Sequence, residues 1–280
     1  MLSNFEFAGG SVSGREHRRG IPRNKQDAYH LERTPYGVIL LVADGCGSGS
    51  DTEVGAAIAV RLAVTYIHRL LARGYKPGPG LLDRVRQSVL SQIHILAQDM
   101  GESLSEVVNR YFLFTLGGAI ITEEETTFFF LGDGVVIING EVIVLDSGPT
   151  NRPIYPAYAL TGSTLTDGDP SKLQFQIVRQ CPTTELQSFL VGTDGVNDVI
   201  EHEASILPGS SSEPFGPISQ FWEQSRFFGD GAPVAITRRL NLMARDWKRS
   251  GSAGRHVIDS GLLSDDTTLV VGRRSSSQEE

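Results

Sequence analysis

Two stretches of the chain repeat apolar residues at the spacing of an amphipathic helix. In residues 52–73, Val54, Ile58 and Leu62 recur every four positions, and residues 81–100 carry a similar apolar stripe. Both stretches are followed by a glycine, which commonly ends a helix. The pattern therefore predicts two consecutive long helices.

Most other apolar runs are short, as in β-strands. Residues 37–43 read GVILLVA, which predicts a strand buried on both faces. An Asn139-Gly140 pair between two later apolar runs is a strong signal for a hairpin turn. The remaining runs predict strands near 5–7, 28–31, 112–122, 126–131, 135–138, 141–145, 175–179, 188–192 and 267–271, with a helix over 235–248.

The order of these elements indicates an α+β protein. The strands form two groups, with helices between and after them. No linker separates regions of different composition, so we expect a single domain over residues 1–280. Residues 151–170 are rich in Pro, Tyr, Gly and Thr, which is typical of a flap over a site and almost equally of a disordered insert. The tail, residues 273–280, is expected to be frayed.

Composition and charge narrow the classes of function. The chain has 280 residues, is 40% hydrophobic and carries a net charge of −8, which argues against non-specific binding to nucleic acid or anionic membranes. No apolar run approaches the roughly 18 residues of a membrane span, and the N-terminus lacks a signal-peptide pattern. Two cysteines, Cys46 and Cys181, do not suggest a disulfide framework. We therefore expect a cytoplasmic monomer with no membrane or nucleic-acid partner.

Four aspartates lie where apolar strands begin or end: Asp44, Asp133, Asp194 and Asp265. Asp-Gly alone is an ordinary turn. If the strand ends converge, however, these carboxylates repel one another unless cations lie between them. Oxygen ligands with few histidines suit Mg²⁺ or Mn²⁺. A structural Ca²⁺ site is the alternative, but none of the four begins an EF-hand loop.

Two such ions about 3.5–4 Å apart can hold a bridging hydroxide and position a phosphoryl group for in-line attack. Other phosphatase chemistries lack their residues here. A cysteine nucleophile needs an arginine six positions later, and Thr52 follows Cys46 while Gln187 follows Cys181 at that spacing. The chain also lacks the histidine-rich motifs of binuclear phosphoesterases.

Several segments, in this order, resemble the metal-dependent type-2C Ser/Thr protein phosphatase family in its bacterial form. The resemblance spans about residues 8–272. It implies a four-layer α-β-β-α sandwich, in which two antiparallel sheets pack face to face between helices. The matching segments are KQDAYH (25–30), VADGCGSGSDTEVGA (42–56), TLGGAII (115–121), FLGDGVVIINGEV (130–142), FLVGTDGVNDVI (189–200) and SDDTTLVV (264–271).

The resemblance also implies a role for each aspartate. Asp44 would bridge two ions, and the carbonyl of Gly45 would bind one of them. Asp194 and Asp265 would complete the shell of the first ion, while Asp27 would support the site through water. Three more aspartates match positions that recruit a third, weaker ion or support the ligands, namely Asp133, Asp198 and Asp266.

The chain departs from the family pattern at the second ion and at the phosphate. Gln26 stands where the family usually has a glutamate ligand, and Cys46 stands where eukaryotic members can have a histidine. The usual phosphate-binding arginine is replaced by Pro22, with Arg23 one position later. The basic stretch GREHRRGIPR offers substitutes, namely Arg15, His17, Arg18, Arg19 and Arg23. The stretch resembles a bacterial subgroup with Gly-x-x-His before its Gln-Asp motif, in which His17 would face the phosphate. We select His17 and Arg23 as the candidates, although a solvated basic loop is the alternative for each of the five.

Together, these features predict a phosphoprotein phosphatase that hydrolyses phosphoserine and phosphothreonine with two or three Mg²⁺ or Mn²⁺ ions. In bacterial signalling, such an enzyme would oppose a Ser/Thr kinase. Two alternatives remain at the level of the sequence. One is a pseudophosphatase that binds a phosphoprotein for regulation, which Gln26 and the displaced arginine would favour. The other is a phosphatase of a small phosphomonoester.

Overall fold

The computed structural model describes residues 2–18, 24–148, 152–229, 232, 234–250 and 256–275. Its strands are β1 (Phe5–Val12), β2 (Ala28–Thr34), β3 (Gly37–Gly45), β4 (Phe114–Ile121), β5 (Glu125–Leu131), β6 (Gly134–Ile138), β7 (Glu141–Leu145), β8 (Gln176–Pro182), β9 (Ser188–Gly192), β10 (Trp247–Ser250), β11 (His256–Asp259) and β12 (Thr267–Arg274). Its helices are α1 (Arg15–Arg18), α2 (Thr52–Ala72), α3 (Pro79–Asp99), α4 (Leu104–Tyr111), α5 (Tyr158–Thr161), α6 (Val196–Glu201), α7 (Gln220–Glu223) and α8 (Ala235–Ala244).

Ten of the strands form two antiparallel sheets. The first sheet has the order β1-β12-β9-β6-β7, and the second has the order β2-β3-β4-β5-β8. Strands β10 and β11 form a separate hairpin. Because β5 belongs to the second sheet and β6 to the first, the chain crosses between the sheets at the Gly132–Gly134 turn.

Alternation along the strands explains the layers. In β3, Val38, Leu40 and Val42 face a core shared with the first sheet, whereas Ile39 and Leu41 face the core under α2 and α3. The other outer core lies between the first sheet and α6, α7 and α8. The predicted four-layer α-β-β-α sandwich is therefore confirmed, and β3 is buried on both faces as its sequence indicated.

The predicted turn at Asn139-Gly140 is confirmed, whereas the bounds of some helices differ from the prediction. Asn139 and Gly140 have φ values of 50° and 86°, which the tight turn between β6 and β7 requires. The predicted helix over 235–248 was too long, because α8 ends at Ala244 and Trp247 begins a strand that pairs with β11. The sequence pattern also missed α4, which begins at a capping box formed by Ser103 and Glu106.

The structure also describes parts of the predicted flap and of the predicted frayed tail. Residues 152–170 form α5 and short 3-10 turns, so this part of the predicted flap is structured rather than a disordered insert. The predicted frayed tail was wrong for Arg273 and Arg274, which are the last residues of β12. Arg273 is held by the carboxylate of Glu6, and Arg274 by the carbonyl of Thr183. Residues 276–280 lie outside the described part of the chain.

One helix among the described residues, α2, is long and apolar enough to cross a membrane. Its buried residues, such as Ala59, Ala63 and Ile67, belong to the core beneath the second sheet. A core helix of a globular domain passes the same test of length and composition, so α2 is weak support for a membrane span.

Candidate active site

The second sheet brings Asp27 and Asp44 together by its register. Ala28, at the start of β2, pairs with Ala43 near the end of β3. The residue before Ala28 and the residue after Ala43 therefore lie side by side, because antiparallel neighbours start and finish at the same edge. The two carboxylates are close enough for the charge of Asp27 to contribute to the raised pKa of Asp44. Two carboxylates so placed need a shared proton or a cation between them.

The first sheet places Asp194 and Asp265 in the same way. Gly192, the last residue of β9, pairs with Leu269 of β12, so the chain leaving β9 passes the chain entering β12. Asp194 lies just after the one strand and Asp265 just before the other. The two sheets contribute to one site because Thr193, beside Asp194, donates its hydroxyl to Asp27 of the second sheet at 2.7 Å.

These strand ends open onto a cavity of about 970 Å³. Four of the predicted aspartates line it, together with Gly45, and the side chains come from both sheets. The lining also includes His17 of α1 and residues of the predicted flap. The predicted site residues that line the cavity are His17, Asp44, Gly45, Asp133, Asp194 and Asp265.

Burial and mutual repulsion make the carboxylates hard to ionise. Burial, followed by the charges of Asp27, Asp194 and Asp265, raises the pKa of Asp44 well above its ordinary value. Burial raises the pKa of Asp194 to about 8, with Asp265, Asp133 and Asp27 adding to the effect. Burial and the charge of Asp266 raise the pKa of Asp27 to about 7. Divalent cations would relieve this repulsion and return the carboxylates to their charged form.

Three buried oxygens are available to a cation. Gln26 Oε1, Asp27 Oδ1 and Asp133 Oδ1 have no hydrogen-bond partner among the described residues. A buried acceptor without a partner is costly, and a hard cation or its bound water would satisfy it. The donor set is dominated by oxygen, which fits Mg²⁺ or Mn²⁺ better than Zn²⁺. One further group, formed by His17, Asp265 and Asp266, brings three possible ligand atoms within 4.8 Å of one another.

Asp266 lies behind the cavity and holds its frame. Its carboxylate accepts the backbone N–H groups of Gly14 at 2.8 Å and Gln26 at 2.5 Å, and His17 Nδ1 lies 2.9 Å from Oδ1. Burial alone would raise the pKa of Asp266, but the hydrogen bonds from His17, Gly14 and Gln26 outweigh it and lower the pKa. Asp266 therefore stays charged and joins three segments of the chain around the site.

Asp198 is placed differently from the other aspartates. It lies on α6, and its Oδ2 accepts both the backbone N–H of Ser264 at 2.5 Å and the Ser264 hydroxyl at 2.6 Å. These hydrogen bonds hold the residue immediately before Asp265. Asp198 is not part of the cavity lining, whereas Asp133, its predicted companion for a third ion, is.

The side-chain amide of Gln26 holds the loop that follows Asp44. Its Nε2 donates to the carbonyls of Cys46 and Gly49, both at 3.2 Å, and to the hydroxyl of Thr52 at 2.6 Å. The backbone carbonyl of Gln26 also accepts the N–H of Gly45 at 3.2 Å. Asp44 and Gly45 are thus positioned by a residue that the sequence marked only as a weakened ligand.

The predicted phosphate contacts have mixed outcomes. Arg23 lies outside the described residues. Two other basic candidates donate to backbone carbonyls, Arg15 to Gly261 at 3.0 Å and Arg18 to Ser13 at 2.5 Å. His17 lines the cavity.

Sequence reasoning missed Arg152, Tyr155 and Tyr158, which line the cavity from the flap. The two tyrosine rings meet edge to face with centroids 5.4 Å apart. Burial, together with Cys46 and Asp44, raises the pKa of Tyr155, so its hydroxyl stays neutral and able to donate. The only sequence signal was that this stretch is a long loop, and nothing in its spacing singled out these residues.

Comparison with solved structures supports the fold. A bacterial serine phosphatase shares 12% sequence identity with this chain and has a TM-score of 0.53, over 98% of this chain and 99% of the other. Stp1, a serine/threonine phosphatase from Staphylococcus aureus, shares 11% identity with a TM-score of 0.48, over 97% and 96%. The catalytic domain of the phosphatase PstP, in complex with two manganese ions, shares 15% identity with a TM-score of 0.48, over 97% and 99%. The identities are low, so the first of these shows the fold alone.

The sequence comparison is more decisive about the family. No curated protein sequence matches this chain. The sequence profile of protein phosphatase 2C, however, matches residues 13–226, which is well over half of the chain. The matched region contains the strand ends that carry Asp27, Asp44, Asp133 and Asp194. On this match, and with the fold that accompanies it, the chain belongs to the protein phosphatase 2C family.

Proposed function

We propose that this protein is a metal-dependent phosphatase that hydrolyses phosphoserine and phosphothreonine in proteins. The observation that carries the proposal is the carboxylate cluster of Asp44, Asp194 and Asp265, which two sheets aim into one cavity. After burial, the charges of Asp194 and Asp265 contribute to the raised pKa of Asp44, and the charge of Asp265 contributes to that of Asp194, so the cluster is unfavourable without cations. A purely structural role would not require three carboxylates to face an open cavity.

The residues divide the work of the reaction. Asp44, the carbonyl of Gly45, Asp194 and Asp265 would hold Mg²⁺ or Mn²⁺. When bound, such ions supply positive charge to the phosphoryl oxygens and lower the pKa of a water. The family profile and the oxygen-rich donor set support this assignment. Asp198 binds Ser264, the residue before Asp265. Asp266, the residue after Asp265, binds His17.

Arg152 is the residue best placed to hold the phosphate. Among the described residues that line the cavity, it is the one lysine or arginine. The lining otherwise carries the negative charges of the aspartates and Glu16, so an incoming phosphate dianion needs a cation from the protein as well as the metal. A guanidinium can donate two parallel hydrogen bonds to phosphate oxygens.

The cavity is wide enough for a phosphorylated segment of protein. Its volume of about 970 Å³ is near the upper end of the roughly 300–1,000 Å³ found for small-molecule pockets. The Tyr155 and Tyr158 rings form one wall and can contact the peptide around the phosphorylated residue. These features favour a protein substrate over a small phosphomonoester.

Gln26 does not by itself indicate an inactive relative. Its Nε2 donates to two carbonyls and one hydroxyl, and a glutamate in the same place would direct a carboxylate oxygen at those carbonyls. The amide is thus the form that this loop can accommodate, while Oε1 remains available to an ion or its water. The geometry therefore favours an enzyme over a pseudophosphatase.

The first test is whether turnover depends on metal and on Asp194. We expect the protein to hydrolyse p-nitrophenyl phosphate and a phosphothreonine peptide with Mn²⁺ and not with EDTA. Asp194→Ala should lower kcat/KM by about 100-fold or more, because it removes a ligand from the reacting centre. Asp99→Ala, an exposed aspartate at the end of α3, is the matched control and should match wild type. Absence of metal-dependent turnover in the wild-type protein would contradict the proposal.

The second test is the pH dependence of stability without metal. An aspartate with a raised pKa binds its proton more tightly in the folded than in the unfolded chain, so its stabilising contribution is lost as pH rises through the folded pKa. With the pKa of Asp27 at about 7 and that of Asp194 at about 8, the EDTA-treated protein should lose stability as the pH rises from about 4 to 8. The rise in the pKa of buried Asp27 corresponds to a loss of about 4 kcal/mol, and Asp194 should add less than its own shift implies because it keeps some contact with solvent.

This loss is measured by urea unfolding across that pH range. Mg²⁺ should restore stability most strongly at the alkaline end, where the carboxylates are charged. Asp194→Asn should flatten the slope in EDTA and weaken the effect of Mg²⁺, whereas Asp99→Asn should change neither. If stability falls with pH equally in Asp194→Asn and in wild type, repulsion among these carboxylates is not the cause of the fall.

The third test addresses Gln26. Gln26→Glu and Gln26→Met should each lower the free energy of unfolding in EDTA by about 2 kcal/mol, because both remove the Nε2 donor from buried acceptors. The methionine variant separates this loss from the added charge of glutamate. Gln98→Glu, on the exposed side of α3, is the control. Wild-type stability in Gln26→Met would mean that the amide does not hold the loop.

The fourth test addresses Arg152. Arg152→Ala should raise KM for p-nitrophenyl phosphate about tenfold with a smaller effect on Mn²⁺ affinity, as expected from losing one charged hydrogen-bond donor to phosphate. Arg152→Lys should recover part of the loss. Arg61→Ala, an exposed arginine on α2, serves as the control. Unchanged KM in Arg152→Ala would assign the phosphate contact to another cation.

A further inference from the structure

The edge strand β7 exposes an apolar surface that a sheet edge normally lacks. β7 is the last strand of the first sheet, and β6 is its one partner among the described strands. Val142 is 45% exposed and Val144 is 51% exposed, and both point to the same face because they are two residues apart. An open edge with exposed aliphatic side chains is a template for pairing with another strand.

The other three edge strands are protected. On β8, the exposed positions are Gln176, Gln180 and Pro182, which are polar or cannot donate to a new ladder. On β2, the exposed residue is Arg33, and β1 has no exposed residue. Of the four edges, β7 is therefore the one that exposes large apolar side chains, and its charged residue, Glu141, is paired with Arg179 of β8.

A second cavity adjoins both β7 and the candidate active site. A cavity of about 460 Å³ lies between Val144 and the flap, and it is lined in part by Arg152, Pro153 and Leu165. Those three residues also line the cavity that contains the aspartates. The cavity beside β7 is therefore the immediate neighbour of the aspartate cavity.

The surroundings of the far end of β7 are apolar and acidic. A cavity of about 520 Å³ is lined there by Val142, Ile218 and Trp222, together with the carboxylates of Glu203 and Glu223. Among the described residues that line this cavity, none is a lysine or arginine. This end therefore complements a ligand that carries apolar side chains and a positive charge.

We propose that β7 is the docking strand for the phosphoprotein substrate. An extended segment next to the phosphorylated residue would pair with the open edge of β7, as in recognition by strand addition. Its apolar side chains would contact Val142 and Val144, and a lysine or arginine beyond them would approach Glu203 and Glu223. This proposal rests on the proposed phosphatase function, since it takes the phosphorylated residue to lie in the aspartate cavity.

The geometry sets the spacing of the recognised residues. β7 has five residues, which span about 17 Å at roughly 3.4 Å per residue. Its C-terminal end is the one nearer the flap, because Val144 and Leu145 line the cavity shared with Arg152. The apolar positions of the substrate should therefore lie a few residues from the phosphorylated residue, and the basic position should lie beyond them.

The test compares two phosphothreonine peptides of equal length. In one, alternating Val and Thr flank the phosphothreonine on both sides and end in two arginines, and in the other Gly and Ser replace the Val and Thr. In the wild-type protein, the Val-rich peptide should have a KM about tenfold lower. The double variant Val142→Lys/Val144→Lys should abolish that difference and leave turnover of p-nitrophenyl phosphate unchanged.

Two further variants separate docking from folding. Val142→Thr/Val144→Thr keeps the β-propensity of the strand but removes the apolar contacts, so it should lose most of the preference for the Val-rich peptide. Ile95→Lys is the matched control, since Ile95 is 49% exposed on α3 and lies in the opposite outer layer. It should retain the preference.

Each outcome separates docking from catalysis. Equal KM values for the two peptides, with normal turnover of p-nitrophenyl phosphate, would overturn docking at β7 and leave the phosphatase function standing. If no phosphate ester is hydrolysed, the proposed function fails, and fluorescence anisotropy of the labelled Val-rich peptide decides the docking. Binding that is lost in Val142→Lys/Val144→Lys would support it, and no binding to wild type would overturn it. A dimer in sedimentation that this variant dissociates, without any effect on peptides, would assign the edge to a second copy of the chain.

Discussion

Repulsion among the carboxylates at one edge of the sandwich is the constraint on which the rest of the site depends. Asp27 and Asp44 lie side by side at the ends of neighbouring strands, and burial with neighbouring charges raises the pKa of both. A fold that gathers such groups is less stable without cations than one that disperses them. A bound cation would compensate for this repulsion. The position of the repelling carboxylates therefore indicates the candidate metal site.

The residues around the cluster keep it assembled while it is unfavourable. Asp266, Gln26 and Thr193 form hydrogen bonds between segments that are far apart in the chain, and each engages a partner beside a candidate ligand. Asp266 differs from its neighbours because donors surround it, which lowers its pKa despite burial. Two adjacent aspartates, Asp265 and Asp266, thus have opposite duties. One is exposed in the cavity, and the other is buried as an anchor.

The flap and the open edge of β7 give this centre its surroundings. Arg152 brings a positive charge to an acidic cavity from a segment that lies more than 100 residues in sequence from both Asp44 and Asp265. The same segment borders the cavity beside β7. The flap therefore links the phosphate end of the site with the surface proposed to bind the rest of the substrate. It also explains how one loop can affect both binding and chemistry.

The sequence alone determined what depends on local chemistry. The apolar run of β3, the Asn139-Gly140 turn and the two long helices follow from periodicity and backbone preference, which operate within a few residues. The aspartates at strand ends were also visible, because a charged residue after a buried strand is a local contrast. The order of these segments was sufficient to indicate the family.

Tertiary structure decided the features that join distant segments. Only the packing of the two sheets brings Thr193 to Asp27, and only the folded loop shows Gln26 as a donor to three oxygens. The sequence likewise could not show that Arg152 enters the cavity or that β7 remains an open edge. Contacts of this kind depend on the register and packing of whole strands, to which no single segment's pattern is sensitive.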